Sequence, residues 1–255
     1  MGRDRKGDYG IDGSFHTVPA RVQAAMIVVD CAALAACSII SLARGRRAVA
    51  ALTGLSAAGI AASAASYGYA TRVGKFVVWE RILDDLRLRG DETLVDLGCG
   101  RGAVLLAAAK RLPRGRAIGV DLWRADQTGN SPQATLANAE LEGVADRVEV
   151  HTADITALPF ADQSVDVVVS SLAIHNIPTP AGRRQALSEA VRVLRPGGRL
   201  AVADLWGTRA HAEHVRELGW CEVRHRNLGW RMWYGGPWVP TRLVVATKPL
   251  GHRSG

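Results

Sequence analysis

Val95-Asp-Leu-Gly-Cys-Gly-Arg-Gly102 carries an aliphatic run straight into a glycine-rich segment. Thr93 to Leu97 reads as a strand. Three alternating glycines, Gly98, Gly100 and Gly102, end it in a turn just ahead of a helix that starts near Ala103. Glycine has no side chain to keep a ligand off the backbone and adopts positive φ without strain. A helix N-terminus adds amides that lack intrahelical acceptors. Strand, glycine turn and helix in that order make a cradle for a nucleotide-like molecule.

Spacing narrows the ligand. The dinucleotide fingerprint is Gly-x-Gly-x-x-Gly, and here the third glycine comes one residue early. Asp96 stands two positions before the first glycine, where a pyrophosphate meets repulsion and a cation is favoured. Ala117-Ile-Gly-Val-Asp121 reads as a second strand ending in a carboxylate, the place from which a parallel sheet holds ribose hydroxyls. An adenosine-type ligand with a cationic sulfonium is expected, in preference to NAD.

With these motifs in place, residues 76–248 resemble the class I S-adenosylmethionine-dependent methyltransferases. Val95 to Gly102 is similar to the family's first motif and Gly119-Val-Asp121 to its ribose-binding strand end. His151-Thr-Ala-Asp154 with Leu158-Pro-Phe160 resembles the adenine-side segment, Asp166 to Asn176 the fourth strand and its loop, and Leu194-Arg-Pro-Gly-Gly-Arg-Leu200 the turn into the fifth strand. The resemblance implies S-adenosylmethionine as cofactor and methyl transfer as activity. The implied fold is a Rossmann-like seven-stranded α/β sheet, mostly parallel, helices on both faces, its last strand antiparallel.

Carried over residue by residue, the cofactor set is Asp96, Gly98, Gly100, Gly102, Asp121, Leu122, Trp123, Asp154, Ile155 and Ser170. Asp121 is expected to accept from both ribose hydroxyls, each bond to a charged acceptor contributing roughly 1.5–3 kcal/mol. Asp154 is read as the acceptor for the adenine amine, with a helix N-cap as its other reading. Asp96 belongs at the methionine end. Trp123 either covers the adenine or packs in the core. Asp126, Gln127 and Asn130, in a loop longer than the family minimum, are candidates for the cofactor mouth, against a solvated loop.

Methyl transfer needs a base only where the acceptor holds its proton. His175, after the fourth strand, is the candidate, with an intrinsic range suited to neutral pH; the alternative is a histidine that ties the loop to the backbone. Asn176, Asp204, Trp206, Trp230, Trp233 and Tyr234 are the candidates for acceptor binding. Five of seven tryptophans follow residue 200, and Gly229 to Trp238 forms an aromatic loop suited to an apolar pocket, to lipid headgroups, or to a lid packed on the sheet.

The N-terminal part reads differently. Residues 22–42 are almost wholly apolar apart from Asp30, and residues 48–70 carry no charge, each about the roughly twenty residues that cross a bilayer core as a helix. Only Arg44-Gly-Arg-Arg47 separates them, so a transmembrane hairpin is expected, with a soluble helical pair and a cleaved signal as the alternatives weighed. The expected division is a cytoplasmic tail over 1–21, the hairpin over 22–70 and the methyltransferase domain over 71–255. Arg3, Arg5, Lys6, Arg21, Arg72, Lys75 and Arg81 outnumber the loop's three arginines, which places both termini and the enzyme domain on the cytoplasmic side of the cell membrane, as a multi-pass protein. A carboxylate mid-span costs roughly 2.5–3.5 kcal/mol, so Asp30 is expected to face the partner helix or another protein. Gly54 with Ala58, and Gly59 with Ser63, offer small-residue contacts between the spans.

The net charge of +8 is carried by scattered arginines without a phosphate-tracking stripe, so nucleic acid is not the expected partner. Cys31, Cys37, Cys99 and Cys221 show neither metal spacing nor a disulfide framework, and no metal is expected. The acceptor is read as a small molecule or lipid.

Overall fold

The computed structural model describes residues 5–13, 18–124 and 127–250. Three helices come first: α1 (Ala20–Ala43), α2 (Arg47–Tyr69) and α3 (Lys75–Asp85). The strands are β1 (Thr93–Leu97), β2 (Arg116–Asp121), β3 (Val148–Thr152), β4 (Val165–Ser171), β5 (Leu194–Asp204), β6 (Val223–Asn227) and β7 (Arg242–Thr247). Between them run α4 (Ala103–Ala109), α5 (Pro132–Leu141), α6 (Pro180–Val193) and α7 (Thr208–Glu217).

The strand order is β3-β2-β1-β4-β5-β7-β6. β1 to β5 are parallel, and β7 lies antiparallel to both β5 and β6, as the resemblance implied. Both faces of the central strands are buried, which is why they read as nearly unbroken aliphatic runs. Leu94, Val167 and Val169 face α3 and α4, while Val95, Leu97 and Val168 face the α6 side with Leu187 and Val193. The chain reverses its direction of winding between β1 and β4, so a crevice opens beyond their carboxyl ends.

α6 starts at Pro180, because Thr179 caps it by accepting from the Gly182 amide at 3.0 Å and Pro180 suits the first turn. Gly143 and Gly219 follow α5 and α7 with positive φ, as helix C-termini favour. α6 stops at Val193, and Gly197 sits in the turn within β5, its amide on the Lys248 carbonyl.

α1 and α2 form an antiparallel hairpin, and both are long and apolar enough to cross a membrane. Their outward side chains are bare: Ile39, Leu52 and Leu55 are each about 70% exposed. Contact between them is made where Ser38 donates to the Ala50 carbonyl and a Cβ on Gly54 would sit 3.0 Å from Ser38 Oγ. Gly59 and Ser63 are not part of it. Nothing lies within 4 Å of a Cβ built on Gly59, and Ser63 donates to Gly235 of the C-terminal half. Asp30 is exposed on the hairpin. α2 passes through a π-helical turn, Ala70–Gly74, straight into α3, so hairpin and sheet domain share one continuous helix.

Residues 5–13 are no free tail. Glu142, its side chain almost fully buried, accepts from the amides of Lys6 and Gly7, from Tyr9 Oη and from Lys110 Nζ. Burial alone would raise its carboxyl, yet these donors hold it down at about 2. Asn138 exchanges hydrogen bonds with the backbone of Asp8, and Ile11 pairs with Thr128. The segment before the first apolar helix is thus strapped across α4, α5 and the loop after β2, on the same domain that follows the second.

Candidate cofactor site

A cavity of about 320 Å³ opens beyond β1, β2 and β4. Its lining includes Asp96, Gly98, Gly100, Asp121, Leu122, Asp154, Ile155 and Asn176 of the expected set. Gly102 lies just outside it, at φ 88° as the cap of α4, where a Cβ would press on Leu106 and Thr135. Gly98 (φ 71°) and Gly100 (φ 51°) are left-handed as well. A Cβ at Gly98 would collide with Ala173, and one at Gly100 with Gln127.

The turn's amides do not wait for a ligand. Gly98 donates to the Val120 carbonyl at 2.7 Å, Gly100 to Asp121 Oδ2 at 2.8 Å, Arg101 to Gln127 Oε1 at 2.8 Å and Gly102 to the Cys99 carbonyl at 2.9 Å. A pyrophosphate needs such donors free. This turn has spent them on the protein and presents carboxylates instead.

Asp121 accepts from the Gly100 amide on one oxygen and from the Trp123 amide at 2.7 Å on the other, with the Asn130 side chain a further donor, and its remaining lone-pair capacity borders the cavity. Burial raises its carboxyl, and these amides oppose the rise. Asp96 is 1% exposed, and its Oδ1 has no hydrogen-bond partner. Burial first, and then the Asp121 carboxylate, push it up to about 8. A buried carboxyl with an orphaned oxygen inside a cavity is a site prepared for a cationic donor. Asp12, Asp121 and Asp154 face Lys75 and Arg124 around the space, a small excess of negative charge to which Asp96 adds when a cation beside it draws off its proton, and this suits a ligand carrying a sulfonium and an ammonium.

Asp96 carries its own pH prediction. The folded-state value of about 8 lies above the ordinary 3.8, so the folded protein holds an extra proton between the two. The associated stability is complete below about pH 4 and is lost as pH rises through 8. Asp96→Asn should therefore raise the melting temperature of the ligand-free protein more at pH 8 than at pH 5, with a gain of about 1–3 kcal/mol. Thermal melts at the two pH values check it. An equal effect at both contradicts the raised value.

Other expected residues lie elsewhere. Ser170 is fully buried and donates to the Leu97 carbonyl at 2.9 Å, tying β4 to β1; its neighbour Ser171 lines the cavity and accepts from Trp79 Nε1. Trp123 does not line the cavity: at φ 56° its ring turns to β3, Nε1 on Thr152 Oγ1 at 2.7 Å. Asp154 does line it, and its Oδ1 also accepts from the amide and hydroxyl of Thr156, an Asx turn and not a helix cap.

Asp204 is fully buried and accepts from the His175 amide, the Leu205 amide and His175 Nδ1. A carboxylate only accepts, so Nδ1 carries the proton and Nε2 of the neutral ring keeps the lone pair. Trp206 meets the same ring edge-on at 5.2 Å. None of the three lines the cavity; Asn176 of the same loop does. The aromatic loop is not over the site either. Trp230 stacks on Tyr69, and the Trp233 and Gly235 carbonyls accept from Ser66 and Ser63, so the loop clasps the foot of α2. Tyr234 is buried there, with its hydroxyl on Asp12 Oδ2 at 2.9 Å.

Asp12 and Lys75, ion-paired at 2.7 Å, were not foreseen as site residues, and both line the cavity. Gln127, a candidate for the mouth, lines it and also reaches Asp12 and the Tyr9 carbonyl. Asn130 bonds the Arg124 carbonyl, and Asp126 lies outside the described residues. Among the described residues no group of three or more His, Cys, Asp or Glu is placed to hold a metal.

Comparison with known proteins agrees with this geometry. A family model described as a methyltransferase domain matches residues 95–202. The chain is 38% identical over 133 residues to the ubiquinone/menaquinone biosynthesis C-methyltransferase UbiE of Roseobacter denitrificans, covering 52% of this chain and 50% of that protein. It is 34% identical over 148 residues to the 27-O-demethylrifamycin SV methyltransferase of Amycolatopsis mediterranei, covering 55% and 50%. It thus spans about half the length of these curated relatives. Among solved structures, the [4+2]-cyclase SpnF shares the fold with a TM-score of 0.55 at 19% identity, covering 68% of this chain and 82% of that one. A geranyl diphosphate methyltransferase in complex with S-adenosylmethionine gives 0.52 at 20%, covering 68% and 85%. Domain match, strand order and an acidic cavity behind a glycine turn agree: residues 95–202 match a methyltransferase domain, set in the fold and glycine-turn site that the class I S-adenosylmethionine-dependent resemblance implied.

Proposed function

We propose that the protein is a membrane-anchored methyltransferase that moves the methyl group of S-adenosylmethionine to a small lipophilic acceptor. The cofactor supplies a methyl group already activated on a sulfonium. In the residues present, Asp121 holds the ribose, Asp154 and Ile155 the adenine side, and Asp96 with the Gly98 turn the methionine end. The task left to the chain is to position the acceptor and exclude water.

One observation carries the lipophilic reading. The helix that leaves the apolar hairpin is the one that lines the cofactor cavity, through Lys75, so the cavity sits at the foot of two helices whose outer faces are bare aliphatic. The strap supports a cell-membrane hairpin with both ends on one face, since residues 5–13 dock on the domain that follows α2. The arginine distribution favours the cytoplasmic face. Relatives named for ubiquinone/menaquinone biosynthesis are in keeping with an apolar acceptor.

The test incubates native-host membranes holding the full-length protein with methyl-labelled S-adenosylmethionine, beside Asp121→Ala membranes. Asp121-dependent label in the lipid extract is the expected result. Asp121-dependent label in the aqueous or protein fraction would make the hairpin a mere tether. Cofactor binding without transfer to any fraction would favour a non-catalytic scaffold.

A further inference from the structure

A second, larger space of about 1090 Å³ lies at the foot of the hairpin, where α1, α2 and the aromatic loop meet. Its upper walls are apolar or small, among them Ala24, Ile27, Val28, Gly59, Ile60 and Ala64. Its lower end is polar, with Tyr67, Thr71 and Tyr234. Those three hydroxyls converge on one residue that lines the other space. Tyr67 donates to the Asp12 carbonyl, Thr71 to Asp12 Oδ2 at 3.0 Å and Tyr234 to the same oxygen at 2.9 Å.

The partition between the two spaces is therefore thin. Ile11 and Gly13 line the groove, while Asp12 between them lines the cofactor cavity with its partner Lys75. The cavity, at about 320 Å³, is at the small end of ligand pockets and is matched to one nucleoside-sized molecule. An acceptor must therefore approach from beside it. The groove is the neighbouring space, apolar at the hairpin end and hydroxyl-lined at the cofactor end, and that gradient matches an amphiphile lying head inward. In the anchored reading its apolar end adjoins the bilayer, so the tail need not cross water to enter.

We propose that this groove is the acceptor site, taking a single-chain or isoprenoid lipid with a compact hydroxyl-bearing head, its tail between α1 and α2 and its head at the Asp12, Tyr67, Thr71 and Tyr234 cluster. The proposal rests on the methyl-transfer reading above and adds the place and chemistry of the acceptor.

Gly59 and Gly68 both line the groove, and a Cβ on either meets nothing within 4 Å, so a side chain can be started there from the groove wall. Full-length Gly59→Phe and Gly68→Phe are compared with Leu55→Phe, a position 73% exposed and outside the groove. Transfer of labelled methyl to the lipid extract of native-host membranes should fall at least tenfold in the two glycine variants and stay within twofold in Leu55→Phe. The Kd for S-adenosylhomocysteine should stay within twofold in all three. Unchanged lipid labelling in both glycine variants overturns the groove while leaving the lipophilic acceptor standing. A wild-type protein that labels no lipid overturns both readings.

A second measurement does not depend on the variants folding. Wild-type protein in vesicles of phosphatidylethanolamine and phosphatidylglycerol is irradiated with a hexadecylphenol that carries a mid-chain diazirine. Adducts concentrated on Ile27, Ile60 and Ala64 support the site. Adducts spread evenly over Ile39, Leu52 and Leu55 contradict it.

Discussion

Replacing Asp121 with alanine should weaken S-adenosylmethionine binding by at least about 100-fold and remove methyl transfer in the same proportion. Two hydrogen bonds from a ribose diol to a charged acceptor contribute roughly 1.5–3 kcal/mol each, so losing both exceeds the 2.8 kcal/mol that makes a factor of 100. The carboxylate also ties the Gly100 and Trp123 amides, so part of the loss arises from a slackened glycine turn. Asp121→Asn separates the contributions. It keeps one acceptor oxygen and the side chain's shape, and should lose about tenfold, with a smaller fall in melting temperature. Equilibrium dialysis and thermal melts on the same preparations report both effects. An alanine variant that binds within threefold of wild type would remove Asp121 from the cofactor site.

The second large effect comes from the strap. Lys75 is 3% exposed and its ammonium is paired with Asp12. Removing one partner of a buried pair leaves an uncompensated charge, at a cost of about 3–5 kcal/mol. Asp12→Ala also takes the acceptor from Thr71, Tyr234 and Gln127, and Gln127 braces the Arg101 amide of the glycine turn. A fall in melting temperature of about 10 °C is expected for a chain of this size, together with weaker cofactor binding. Asp12→Ala combined with Lys75→Met should recover most of the melting temperature, because the buried charge is gone as well. If the double variant is as unstable as the single, the unpaired ammonium is not the cause. Deleting everything before Arg72 should for the same reason lower cofactor affinity, whereas a hairpin acting only as an anchor predicts no change.

Much of the sheet was legible because its signals are local. Alternating glycines after an aliphatic run, carboxylates at strand ends and the Ser131-Pro132 helix start each sit within a few residues of what they specify. Thr179-Pro180 is the same start signal, and reading it that way places the beginning of α6 correctly. The antiparallel β7 came from family resemblance, since nothing in its own residues sets strand direction.

What escaped the sequence is contact between distant segments. Asp12 sits 63 residues before its partner Lys75 and 222 before Tyr234. No periodicity in residues 5–13 marks them as a strap, and their polarity resembles that of a free tail. The aromatic loop is apolar for a reason composition cannot distinguish from ligand binding, since it clasps α2 at Ser63, Ser66 and Tyr69. Ser170 and Ser171 differ only in which face of β4 they occupy, and a shift of one residue exchanges the cavity for the core.

The acidic cavity behind Gly98, Gly100 and Gly102 is expected to hold S-adenosylmethionine, and calorimetry on the full-length protein in detergent measures this. The predicted result is one S-adenosylmethionine per chain, competed by S-adenosylhomocysteine and unaffected by millimolar NAD. Absence of saturable binding, or displacement by NAD, would contradict it.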